Sequence, residues 1–155
     1  MALPRVSTAS TNTNTLVSAA RFVITADRMA EISFSELSGI TSEVEVAEYL
    51  SSNRLGVSLS KQFGRTKPAT VVLKRGVDQD LALWTWHQEV LAGQPTARRS
   101  CSLMLLDMAG VIKQTYDLIN AWPSKLDISA MSAGDSKPSI ATVTLTCEQI
   151  DVKQR

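Results

Sequence analysis

Residues 140–150, Ile140-Ala141-Thr142-Val143-Thr144-Leu145-Thr146-Cys147-Glu148-Gln149-Ile150, carry the cleanest two-residue period in the chain. Successive side chains of an extended strand point to opposite faces, so Ala141, Val143, Leu145 and Cys147 share one face and Thr142, Thr144, Thr146 and Glu148 the other. The first set suits a protein core. The second is a row of hydroxyls suited to water or a polar neighbour, as in an antiparallel sheet covered on one side only.

The same habit recurs outward from this stretch. Thr70-Val71-Val72-Leu73-Lys74-Arg75 reads as a strand ended by Gly76, and residues 124–130 set Lys125, Asp127 and Ser129 against Leu126, Ile128 and Ala130. Residues 100–106 form a strand that turns through Asp107-Met108-Ala109-Gly110 into residues 111–118. Asn120-Ala121-Trp122-Pro123 is expected to interrupt, because Pro123 has no N–H for a central ladder. Nearer the N-terminus, Phe22-Val23-Ile24 is a short strand, and residues 32–37 form another, broken by Ser38-Gly39. Residues 43–50 alternate, with Val44 and Val46 on one face and Glu43 and Glu45 on the other.

Two segments depart from strand character. Residues 51–68 are polar, punctuated by Gly56 and Gly64, and are expected to be a long contact loop, since connections of that length are uncommon in compact domains. Residues 79–92 are expected to be helical: Asp78 is the N-cap, Leu81, Trp84, Gln88 and Leu91 with Val90 form the stripe, and Gly93 and Pro95 end it. Trp84, Leu91 and Trp122 are the expected core anchors, with Trp86 a contact residue. The sum is seven or eight strands, one helix and one long loop. That predicts a mainly β fold, a β-sandwich or barrel of two packed sheets carrying a single α-helix.

Length and composition agree. A chain of 155 residues with 44% apolar and 20% charged types fits one domain with a core of its own. Sixteen basic against fifteen acidic residues argue against a surface built to bind phosphate backbones. The small polar run Ser7-Thr8-Ala9-Ser10-Thr11-Asn12-Thr13-Asn14-Thr15 is expected to be a flexible arm, placing residues 1–20 apart from a domain at 21–151 and a tail at 152–155. No signal-peptide core and no run near the ~20 apolar residues of a spanning helix is seen, which predicts a chain made and folded in a cytoplasm without inserting into a membrane.

Catalytic signatures are scarce. There is no G-x-S-x-G elbow, phosphate loop, dinucleotide fingerprint or His-Glu-x-x-His pattern. Ser58-Leu59-Ser60-Lys61 matches Ser-x-x-Lys, but the companion elements of that enzyme class are missing. Glu43, Glu45 and Glu48 lack the His or Asp partners of a metal centre, His87 has no second His, and Asp78-Gln79-Asp80 is followed by apolar residues rather than oxygen ligands. Cys101 and Cys147 are expected to be buried reduced thiols. No catalytic residue, metal or cofactor is assigned.

In order, Arg21-Phe22-Val23-Ile24, Phe34-Ser35-Glu36-Leu37-Ser38-Gly39-Ile40, Glu45-Val46-Ala47-Glu48-Tyr49, Leu73-Lys74-Arg75-Gly76-Val77, Leu83-Trp84-Thr85-Trp86, Leu105-Leu106-Asp107-Met108-Ala109-Gly110 and Asn120-Ala121-Trp122-Pro123 resemble the tail tube proteins of contractile-tailed bacteriophages and the inner tube subunits of phage-tail-like contractile injection systems. The resemblance spans residues 21–151, which would make that stretch a tail-tube domain. It implies a structural protein rather than an enzyme: a homohexameric ring that stacks into a tube, its strands joined in one β-barrel around a lumen. The implied partners are a sheath, baseplate or hub and tube-terminator proteins, with protein effector or phage DNA as cargo, in a phage tail or a released injection particle.

On that footing Glu43, Glu45, Thr70, Lys74, Lys125, Asp127, Thr142, Thr144 and Thr146 are expected to line the lumen. Val44/Val46, Val71/Leu73, Leu126/Ile128 and Val143/Leu145 would pack inward under the helix. Residues 51–68, through Asn53, Arg54, Lys61, Gln62, Arg65 and Lys67, correspond to the loop that reaches a neighbouring subunit or ring. The rivals are a monomeric β-rich binding module and a hydrolase using Ser60 and Lys61.

Overall fold

The computed structural model describes residues 21–153; the expected arm at 1–20 and the last residues of the tail lie outside it. The chain runs β1 (Arg21–Ala26), β2 (Ile32–Phe34), β3 (Glu36–Thr41), β4 (Val44–Asn53), β5 (Gly56–Thr66), β6 (Ala69–Gly76), α1 (Ala82–Leu91), β7 (Arg99–Leu106), β8 (Ile112–Ile128), β9 (Ile140–Cys147) and β10 (Gln149–Lys153). Two antiparallel layers share the long strand β8. Its first half lies between β7 and β10, in the order β2-β1-β7-β8-β10, and its second half begins the layer β8-β9-β6-β3.

The crossings between layers have local causes. At Ser35, between β2 and β3, both the amide and the hydroxyl donate to the Lys74 carbonyl (2.9 and 3.1 Å). β8 bends at Asn120, whose φ of 51° is a left-handed value that Asn tolerates better than most residues. Asn120 Nδ2 donates to Glu148 Oε2 at 2.9 Å, and Glu148 is the residue at which β9 gives way to β10. The expected single strand at 140–150 is therefore two strands divided at Glu148, and β10 continues past Asp151 to Lys153.

Alternation sets the core. Ile24, Leu103 and Leu118 from one layer meet Val71, Leu73, Val143, Leu145 and Cys147 from the other, all essentially without solvent contact. Against expectation, Asn120–Pro123 does not interrupt: β8 runs through it, with Pro123 buried opposite Leu145 and a bulge immediately after it. A bulge is where a ladder tolerates a missing N–H. Ser38-Gly39 is likewise a bulge inside β3 rather than a break.

The helix is shorter than expected. Asp78 is no N-cap: its Oδ1 accepts from Asp80 N, and Asp80 Oδ1 accepts from Ala82 N (2.9 and 3.0 Å), two successive turns that lead the chain into α1. Arg75 pairs with both carboxylates. The buried stripe is Leu83, Trp86 and, partly, His87 and Val90, so Trp84 and Leu91, expected as core anchors, are instead exposed. Trp86 is the anchor. Its Nε1 donates to the Ala97 carbonyl at 2.7 Å and Arg99 lies over its ring, while His87 Nδ1 donates to the Pro123 carbonyl at 3.0 Å. The two stripes have the same period, and these partners select one of them. Trp122 is half-buried under the Arg98 guanidinium.

The largest correction concerns residues 51–68, which are not a loop. Among the described residues β4 and β5 pair only with each other, from Val44↔Thr66 to Asn53↔Gly56, as a hairpin that leaves the end of the β3/β6 ladder. Gly56 (φ 137°) completes the tip, where Leu55 N donates to Asn53 Oδ1. At the base, a side chain at Gly64 would fall 2.7 Å from the Glu45 carbonyl oxygen, so this strand approach requires glycine. Val44 and Val46, expected under the helix, belong to this hairpin and are exposed.

Candidate functional site

Two surfaces are left uncovered by the described residues, and each has a distinct chemistry. The first is the outward face of the layer β8-β9-β6-β3. With Val71, Leu73, Val143 and Leu145 turned into the core, the alternate positions must point out. The registers align Glu36, Lys74, Thr142 and Asp127 in one row, Val72, Thr144 and Lys125 in the next, and Thr41, Thr70 and Thr146 in a third. Thr70, Lys74, Lys125, Asp127, Thr142, Thr144 and Thr146, all expected on one polar surface, are thus brought together. None of them is buried.

This face is neutral by local pairing. Lys74 Nζ lies 3.0 Å from Glu36 Oε1, and Lys125 Nζ 2.8 Å from Asp127 Oδ2. Thr146 donates to Ser124 Oγ (2.8 Å), which donates to the Thr144 carbonyl (3.1 Å), so hydroxyls are also partnered within the wall. The Lys74 ammonium, by hydrogen bond and charge, holds the Glu36 carboxyl below its ordinary range, and Asp127 raises Lys125 in the same way. Glu36 was not expected here. Its sign is its register opposite Lys74, which sequence periodicity does not reveal.

Lys74→Met should move the Glu36 titration up toward its ordinary value of 4.5, read as the midpoint of its carboxyl resonance in an NMR pH titration. An unmoved midpoint would mean that Lys74 does not hold this carboxylate. Because the folded value is the lowered one, the pair's contribution is present above the unfolded pKa and disappears as pH falls through the folded pKa.

Glu43 and Glu45 do not join this surface. Glu43 lies at the hairpin base, paired with Lys67 at 2.7 Å and accepting the Lys67 amide through its carbonyl, and Glu45 lies at the bulge between Val44 and Val46. Glu43, by hydrogen bond and charge, raises the Lys67 ammonium.

The hairpin is the second surface. Register places Val46, Phe63, Glu48, Lys61, Leu50, Leu59 and Val57 on one face, and Ala47, Gln62, Tyr49, Ser60, Ser51 and Ser58 on the other. The first face is largely apolar and uncovered by the described residues, with Phe63 and the tip residue Leu55 each 97% exposed. Of the expected contact residues, Asn53 and Arg54 are at the tip, Lys61, Gln62 and Arg65 on β5, and Lys67 at the base. The apolar members were missed. Val57, Leu59 and Phe63 alternate with Ser58, Ser60 and Gln62, a strand period masked by the polar average of the segment.

The same register separates Ser60 from Lys61 onto opposite faces, so the two cannot work as a nucleophile and its base. Cys101 and Cys147 are buried free thiols, pushed up to about 12 and about 11 by burial. Among the described residues no three His, Cys, Asp or Glu side chains gather to hold a metal, and no helix is long and apolar enough to cross a membrane.

The family model for the T4-like virus tail tube protein gp19 matches residues 18–151. Among solved structures, a chain of the PVC sheath-tube complex, an extracellular contractile injection system in its extended state, superposes with a TM-score of 0.77 at 20% identity, covering 96% of this chain and 100% of that one. A chain of the anti-feeding prophage baseplate gives 0.71 at 22% identity, covering 90% and 95%. Hcp1 from Salmonella typhimurium gives 0.51 at 12% identity, covering 86% and 85%. At such identities these likenesses establish a shared fold. No curated protein matches.

Proposed function

The chain belongs to the T4-like virus tail tube protein gp19 family, and we propose that it is the inner tube subunit of a contractile injection particle, polymerising as stacked hexameric rings around a cargo channel. The observation that carries this is the state of one sheet. In the layer β8-β9-β6-β3, β3 pairs only with β6, and residues 122–128 of β8 only with β9, so both outer edges are open among the described residues. Open edges template pairing with another chain. Joining β3 of one subunit to β8 of the next is a head-to-tail contact, which closes into a ring when the rotation allows.

Each subunit would supply four strands to a continuous wall. One face of that wall is already covered by the subunit's own core and helix. The other, bearing Glu36, Thr70, Lys74, Lys125, Asp127, Thr142, Thr144 and Thr146, is left to line the lumen. A lining of paired charges and hydroxyls gives no net field to hold a cargo of either sign, which suits passage of protein. The sheath, baseplate and tube cap of the similar particles are the partners inferred here, and no catalytic role is inferred. The subunit would assemble in the bacterial cytoplasm and leave as part of the particle.

Negative-stain electron microscopy of the purified full chain tests this: rings with a central channel, alone or stacked, are expected. A protein that stays monomeric by size exclusion at its highest soluble concentration would overturn it and leave the monomeric binding module. Cargo of the phage kind would instead require particles with a DNA-filled tube.

A further inference from the structure

The two ends of the channel-wall sheet are complementary. At the end where β6 begins and β3 finishes, the hairpin projects, with Leu55 exposed at its tip and Arg54 beside it. At the other end, where β6 and β8 finish and β9 begins, there is an open apolar groove of about 220 Å³. Val77, Leu81, Leu83, Trp84, Leu126 and Ile128 line it, and Asp78 and Asp80 stand at its rim. Val77, Leu81, Trp84 and Ile128 remain substantially exposed, so nothing among the described residues fills the groove. Arg75 shares its one positive charge between the two rim aspartates, which leaves the rim with a net negative charge.

We propose that the groove is the receptor for the hairpin tip of a second copy in the adjacent ring. Leu55 seats against Trp84 and Leu81, and Arg54 faces Asp78 and Asp80. The occupant follows from three features: an apolar projection matched to an apolar recess, a cation matched to an anionic rim, and their placement beyond opposite ends of one sheet, whose strand β6 is itself about 25 Å long. A projection and a recess at opposite ends of the same strands join copies along the strand direction without closing, which produces an open stack. Lateral closure through β3 and β8 uses different atoms and stays independent of it.

This inference rests on the tube assembly proposed above, and one experiment separates the two. The variant Leu55→p-benzoylphenylalanine changes a side chain that touches almost nothing in the subunit, so the fold is retained. After assembly and irradiation of the full chain, cross-linked peptides are mapped by mass spectrometry. Cross-links from position 55 to residues 77–84 or to Ile128 of another copy are expected. Tubes whose cross-links land elsewhere overturn the groove and leave the tube. Absence of rings in the unsubstituted protein overturns both. As a second variant, Leu55→Asp should abolish stacking while single rings persist in micrographs, and stacks of parental length would overturn the axial role of the tip.

Discussion

Replacing Leu50, Leu59 and Phe63 together with Asp is expected to leave a folded subunit and no tubes. These three side chains share the apolar face of the β4–β5 hairpin with Val46, and all three are more exposed than buried. None belongs to the core cluster between the layers, so their loss leaves packing within the subunit intact. A two-stranded hairpin has little stability of its own in water, and one carrying this much bare apolar surface calls for a partner. Covering a Leu or Phe side chain is worth about 1.5–3 kcal/mol, so the triple change removes roughly 5–9 kcal/mol per subunit contact and adds charges to an apolar interface. That is enough to abolish assembly at any practical concentration. Size exclusion and electron microscopy read the outcome, with an unchanged thermal transition of the monomer as the control. Tubes formed by the triple variant would mean that this face is not an assembly surface.

The two neighbouring tryptophans of α1 should behave in opposite ways. Trp86→Ala removes a ring that is 1% exposed, strands the Ala97 carbonyl that its Nε1 satisfied, and leaves Arg99 without the ring it covers. A large-to-small change of this kind costs about 3–5 kcal/mol, which for a domain of this size lowers the melting temperature on the order of 10–20 °C. Trp84→Ala, at a ring 44% exposed on the groove side, should cost less than about 1 kcal/mol in the monomer. Differential scanning calorimetry of the two variants decides it. Equal shifts would show that the helix face has been assigned wrongly.

This pair also shows where the sequence is ambiguous. Leu81, Trp84, Gln88 and Leu91 have the same 3-4-3 spacing as Leu83, Trp86, Val90 and their neighbours, and a helix with apolar residues on two faces cannot announce which of them is covered. The choice depends on Ala97, Pro123 and Arg99, residues brought to the helix from other parts of the chain. The hairpin was hidden for another reason. Its β5 strand mixes serines, a glutamine and a lysine with Val57, Leu59 and Phe63, so it reads as a polar segment by average although its alternation is that of a strand. A strand whose apolar face is uncovered in the subunit has no need of the richer composition that core strands carry.

By itself the sequence determined what is local and periodic: the alternation of residues 140–147, hence a sheet with a threonine face and a core face, and with it Thr70, Lys74, Lys125 and Asp127 on strands of the same habit. A two-residue period fixes the sides of a strand without reference to any other part of the chain. Tertiary structure alone decided the relations between distant segments: Glu36 opposite Lys74, Glu43 and Glu45 moved to the hairpin base, β8 bent through Pro123 to serve both layers, and the hairpin and groove at opposite ends of one sheet. Those depend on register and on which strands become neighbours, quantities set by the packing of the whole core and carried by no single stretch of residues.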